Sequence, residues 1–132
     1  MTQEDKQLLL QDLCTRLPYG VMLDTPNGNK PLLALVLSKE YNTIVEYDDY
    51  HGNENDISEW EGGDVEFIKP YLRPMSSMTE EEKIEYNSYH SHPDNIGDSP
   101  WFYVDWLNAH HFDYHDLIKK GLAIEAPEGM YN

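Results

Sequence analysis

Histidine is the residue type best suited to chemistry in this sequence, and five of the six histidines fall in two groups. His90-Ser91-His92-Pro93 sets two imidazoles one residue apart. Downstream, His110 and His111 precede His115, and the four-residue spacing of His111 and His115 would place both rings on one face of a helix. Two neutral imidazoles and a carboxylate can hold Zn²⁺ and leave a fourth position open for an attacking water. The chain therefore contains candidate metal ligands at His90, His92, His111 and His115, with zinc as the alternative to a cofactor-free protein.

The first group is similar to the zinc-binding His-Ser-His-Pro of JAMM-type metalloproteases, which remove ubiquitin-like tags. That family continues with a serine, two residues and an aspartate ligand. Here Ser99 follows the proline too closely, and the third residue beyond it is Phe102, with the nearest acid at Asp105. The stretch before it, KIEYNSY, reads as a polar helix where the protease needs an apolar strand. Exposed histidines beside a proline turn fit better. The second group resembles half of a zinc-protease helix, but Phe112-Asp113-Tyr114 replaces the catalytic glutamate, and Asp113 reads as an N-cap that would break the helix between the rings.

Carboxylates form the other concentration of chemistry. Nine acidic residues and no Lys or Arg lie between Glu46 and Glu66. Counted from Asp48, Tyr50 falls where an EF-hand needs an oxygen ligand and Gly52 arrives one place early, so the calcium-loop pattern fails. Asp48, Asp49, Glu54, Asp56, Glu59, Glu61 and Asp64 instead suit steering of a basic protein, with Tyr47, Tyr50 and Trp60 as anchors.

Composition excludes several classes. The formal charge of -16, from 25 acidic against 9 basic residues, disfavours direct contact with nucleic acid or an anionic membrane. No nucleophile elbow, Walker or dinucleotide-binding pattern occurs. The only cysteine, Cys14, cannot form an internal disulfide and is expected on a buried helix face. Without a signal-like N-terminus or an apolar run of about eighteen residues, a cytoplasmic, non-membrane protein is expected. Ten tyrosines and three tryptophans argue for a folded chain despite the acidity.

These residues need elements to position them, and an α+β fold is expected over 1–132 as a single domain, with a helix and sheet in 1–72 and a helical part in 73–132. Thr2 and Asp5 start a capped helix from Gln3 to about Leu17, whose Leu9, Leu10, Leu13, Cys14 and Leu17 face inward before Pro18. Apolar runs at 20–23, 32–37, 43–47 and 65–68 predict about four antiparallel strands in a small curved sheet or partial barrel, the first two joined at Asn27-Gly28. Thr79 and Glu82 cap a helix to about Tyr89. Ser99-Pro100 opens another to about His110. Asp113 caps a third, Tyr114 to Lys120, stopped at Gly121. Trp101, Trp106, Phe112 and Leu117 are expected to join these helices to the sheet.

The segments KQLLLQDLCTRLPYGV (Lys6 to Val21), IKPYLRPMSSMTEEE (Ile68 to Glu82) and DWLNAHHFDYHDLIKKGLAIEAPEGMY (Asp105 to Tyr131) cover roughly half the chain. They resemble an uncharacterised family of gut Bacteroidales proteins that occurs in multiple chromosomal copies and on phage-like or mobile elements. The resemblance implies no catalytic residues. A fixed framework with a variable acidic middle and a variable 89–103 region implies a set of proteins recognising different partners. Three functions follow. The first is a non-enzymatic acidic module that binds a basic protein, such as a nucleic-acid-handling enzyme, in the manner of a nucleic-acid mimic. The second is a zinc hydrolase on the His90/His92 loop, and the third an assembly component of a mobile element.

Overall fold

The computed structural model describes residues 1–36, 44–47, 61–88 and 100–131, with backbone alone at 36, 44–47, 61–64 and 100–102. Helix α1 spans Gln3–Arg16. Its start is closed in both directions, since the Asp5 N–H donates to Thr2 Oγ1 at 3.0 Å and the Thr2 N–H to Asp5 Oδ2 at 3.3 Å. The face turned inward carries Leu9, Asp12, Leu13 and Arg16. Cys14 is exposed, contrary to expectation. The buried face follows the spacing 9, 12, 13, 16, which leaves position 14 on the far side.

A 3₁₀ turn, Leu17–Tyr19, ends on Gly20 in the left-handed region and redirects the chain. Strands β1 (Met22–Thr25) and β2 (Gly28–Val36) form the expected hairpin. Pro26 and Asn27 occupy its turn, and Thr25 Oγ1 both donates to the Gly28 carbonyl at 2.6 Å and accepts the Asn27 N–H at 3.1 Å. Next come β3 (Ile44–Tyr47), β4 (Glu61–Asp64) and β5 (Lys69–Pro74). Helices α2 (Glu80–Ser88) and α3 (Pro100–Ala109) precede two-residue strands β6 (Phe112–Asp113) and β7 (Ile124–Glu125).

The α+β class is therefore as expected, but the sheet is mixed and has more strands. Its order is β4-β3-β2-β1-β5-β6, with β7 also pairing β5. β5 is antiparallel to β1 and parallel to β6 and β7. Val65–Phe67 is a 3₁₀ turn between β4 and β5 rather than a strand. Burial of Val65 and Ile68 on either side of an exposed Phe67 gives that stretch its strand-like pattern without a ladder. The expected third C-terminal helix is also absent. Asp116, inside the expected Tyr114–Lys120 span, adopts a positive φ of 61°, which interrupts a right-handed helix, and His111 just before the span does so at 64°. The capping and stop signals there are real, but they close a single turn. Asp113 accepts the N–H groups of Leu117 and Ile118 at 2.8 and 3.0 Å. The Gly121 and Leu122 N–H groups reach back to the Ile118 and Leu117 carbonyls.

The core divides in two. Leu9 and Leu13 of α1 pack with Val21, Leu23, Leu32, Ile68, Leu72, Leu117 and Leu122. Each such buried leucine contributes about 1.5–3 kcal/mol. Trp106, Leu107 and Phe112 form a separate cluster with Met75, Met78, Tyr86 and Tyr114. Trp106 and Phe112 thus join α2 and α3 to β5 as expected, while Leu117 belongs to the first cluster. The Trp101 side chain lies outside the described residues. The C-terminal segment is fastened by Tyr131, whose hydroxyl accepts the Met22 N–H at 2.9 Å and donates to the Tyr71 carbonyl at 2.6 Å.

Candidate functional site

β3 and β4 are paired from Ile44↔Asp64 to Tyr47↔Glu61, at one edge of the sheet. Tyr47, Glu61 and Asp64 thus belong to this hairpin by backbone. Asp48, Asp49, Tyr50, Glu54, Asp56, Glu59 and Trp60 lie outside the described residues, as do His90 and His92. The backbone register brings the two ends of the acidic segment side by side.

The other two candidate ligands are placed apart in chemistry. His111 ends the turn after α3 and stacks on Tyr131, ring centroids 3.7 Å apart. His115 Nδ1 lies 2.7 Å from Asp12 Oδ2. The helical face that would have united them does not form, and among the described residues no three His, Cys, Asp or Glu side chains form a metal-holding group.

What His115 joins instead is a buried charge network that its sequence position did not announce. Asp12 and Arg16 are both fully buried, one helical turn apart. Arg16 Nε and Nη2 donate to the two Asp12 oxygens, and Nη2 also reaches the Phe112 carbonyl at 2.7 Å. Burial raises the Asp12 pKa, but the hydrogen bonds from His115 and Arg16 outweigh it and hold the carboxyl below its ordinary value. Beside this pair, Thr15, Asn108 and Tyr114 share hydrogen bonds that tie α1 to α3. The i, i+4 spacing of Asp12 and Arg16 was visible as a signal, but helical pairs of this kind are ordinarily solvent-facing.

His111 carries a pH response. Burial, then the positive charges of Arg16, His110 and Arg73, push its pKa from 6.5 down to about 4. The unfolded chain therefore binds the proton first as pH falls. The stability this adds is complete above pH 6.5 and is lost on the way down to about 4. With the ring part-exposed and the shift discounted for solvent screening, the loss is about 1–2 kcal/mol. His111→Asn keeps a residue that tolerates positive φ and removes the proton site. Urea midpoints between about pH 7 and about pH 4.5 should fall for the wild type and much less for the variant. A flat wild-type profile there would refute the assignment.

A cleft of about 580 Å³ opens where β5, the start of α2, the end of α3 and the C-terminal turn converge. Arg73 Nη1 and Nη2 grip Glu82 at 2.8 and 2.7 Å, and the Thr79 N–H donates to the same carboxylate at 2.9 Å. The Arg73 fork, opposed by burial and helped by Thr79, holds Glu82 down at about 2. His110 Nδ1 stands 3.4 Å from Glu82, and its ring lies tilted against Trp106 with centroids 4.3 Å apart. Glu125, Glu128 and Tyr131 also line the cleft. Sequence reasoning found the Thr79/Glu82 cap but not its second role as the partner of Arg73.

No protein family, curated protein or solved structure was found that matches this chain.

Proposed function

We propose that this protein is a non-enzymatic binding module whose acidic 46–66 segment engages a basic protein. The observation that supports the reading is the β3–β4 register. With Tyr47 paired to Glu61 in the edge hairpin, a segment dense in carboxylates and devoid of Lys and Arg leaves and re-enters the sheet at one point of its rim. A basic partner is the complement of such a charge distribution, and association of this kind is steered by long-range attraction and weakened by salt. A nucleic-acid-handling enzyme is the partner class of choice, because carboxylates can stand where phosphates would. The resemblance to proteins of mobile elements points the same way, towards an inhibitor acting in the cytoplasm without a cofactor.

The test is an affinity capture from nuclease-treated lysate of the native host, washed at rising salt. One stoichiometric basic protein that elutes with salt is the expected result. Changing Asp48, Asp49, Glu59 and Glu61 together to lysine should then weaken its binding about 100-fold or more. Retention of full, salt-sensitive affinity by that variant would overturn the reading. Tightly held zinc, lost in His92→Ala, would favour the hydrolase instead.

A further inference from the structure

We propose that the cleft between β5, α2 and the C-terminal turn binds the cationic side chain of a basic polypeptide, an arginine or lysine threaded against Tyr131. This rests on the reading that the partner is basic, and it adds a second contact on the other flank of the sheet. β3 and β4 occupy one edge of the strand order, whereas β5 meets β6 and β7 at the other.

The volume, about 580 Å³, falls within the range of sites that enclose an organic ligand rather than a single ion. Its one arginine is already satisfied. Arg73 is forked onto Glu82, and its guanidinium lies 4.2 Å from the centre of the Phe112 ring. An incoming anion therefore finds no free guanidinium there and meets carboxylates instead. Glu125 and Glu128 are exposed on the C-terminal side of the cleft, and neither side chain makes a hydrogen bond or ion pair with a described residue.

The carboxylates do not converge as a metal-ligand set among the described residues. The match is an extended organic cation, whose head meets Glu125 and Glu128. Its methylene stem lies along Pro127 and the Tyr131 ring, as lysine and arginine stems do on apolar surfaces. The walls are built before any ligand arrives. Arg73 is tied to the α3 turn by its own N–H on the His111 carbonyl at 2.8 Å, and Tyr131 is pinned through its hydroxyl to β1 and β5. Such pre-organisation lowers the ordering cost of binding.

The experiment is an amide-resolved NMR titration of the full chain with acetyl-arginine amide and with a short arginine-rich peptide. Both probes should shift resonances at residues 73–82 and 125–131. The double variant Glu125→Gln/Glu128→Gln, both exposed positions, should weaken the single-residue probe about tenfold while leaving the fold unchanged. The quadruple lysine variant of the acidic segment should still show the cleft shifts. Peptide shifts confined to 48–60 and lost in the quadruple variant would overturn the cleft proposal and leave the basic-partner reading standing. Cleft shifts with no response in the acidic segment would support the cleft and remove the segment as the binding surface. No response to either probe would end both.

Discussion

Asp12→Ala is expected to lower folding stability by about 3–5 kcal/mol, because it strands a buried positive charge. Arg16 is fully buried, and its Nη1 already lacks a hydrogen-bond partner. Without Asp12 the guanidinium keeps a single acceptor, the Phe112 carbonyl. His115 also loses the carboxylate that holds its ring against α1. Replacing both ends tells the pair's net worth from the penalty of breaking it. Asp12→Leu with Arg16→Met removes the need to desolvate either charge, so the double variant should recover most of what Asp12→Ala loses. The Asp12 carboxylate's stabilisation is present above its ordinary value of 3.8 and is lost only as pH falls through its depressed folded value. The Asp12→Ala deficit should therefore shrink in strong acid. Urea denaturation at neutral pH decides the matter, and a loss below about 1 kcal/mol would mean that the network is solvated.

Where the chain's own chemistry is local, the fold was legible. Thr2 with Asp5 and Thr79 with Glu82 are capping boxes whose bonds need only four consecutive residues, and both form. The hairpin at Asn27-Gly28 likewise rests on turn geometry. What escaped prediction depends on distant partners. Val65–Ile68 has a strand's composition, yet β5 begins after it because Leu23 pairs with Pro70 and Asp24 with Lys69. The Tyr114–Lys120 stretch carries good start and stop signals, but Phe112 and Asp113 are drawn into parallel pairing with Arg73 and Pro74, and His115 to Asp12. Those contacts outweigh a helix too short to be stable alone.

The candidate sites follow the same division. The four-residue spacing of His111 and His115 suggests a shared helical face, Asp113 between them reads as the cap that breaks it, and the structure keeps the two rings apart, with Asp113 closing the turn at Leu117 and Ile118. An arginine before a proline has no local signature, yet the cleft is organised on Arg73. Tyr131 looked like part of a tail, and its two hydrogen bonds to β1 and β5 are long-range facts. Leucines at 9, 10, 13 and 17 suggest an apolar face wide enough to include Cys14, but Asp12 and Arg16 share the buried face with Leu9 and Leu13 and leave Cys14 exposed.

Phe112→Ala is expected to lose about 3–5 kcal/mol, the range for truncating a fully buried aromatic. The side chain is 0% exposed, with the Arg73 guanidinium 4.2 Å from its ring centre and Trp106 stacked at 5.7 Å. Removing the ring opens a void beside Trp106 and takes the aromatic face away from Arg73, so two terms are lost together. Phe112→Leu restores apolar volume but no aromatic face. It should cost less, about 1–2 kcal/mol, and the difference between the two variants measures mainly the void. The consequence beyond stability is specific. With the ring gone, Arg73 is held by Glu82 and backbone contacts alone, and its guanidinium gains freedom inside the cleft. Both variants should weaken acetyl-arginine amide, and the leucine variant, which keeps the packing, should do so with little loss of fold. An unaltered affinity in Phe112→Leu would show that Glu82 orients Arg73 without help. Phe112 would then serve the core alone.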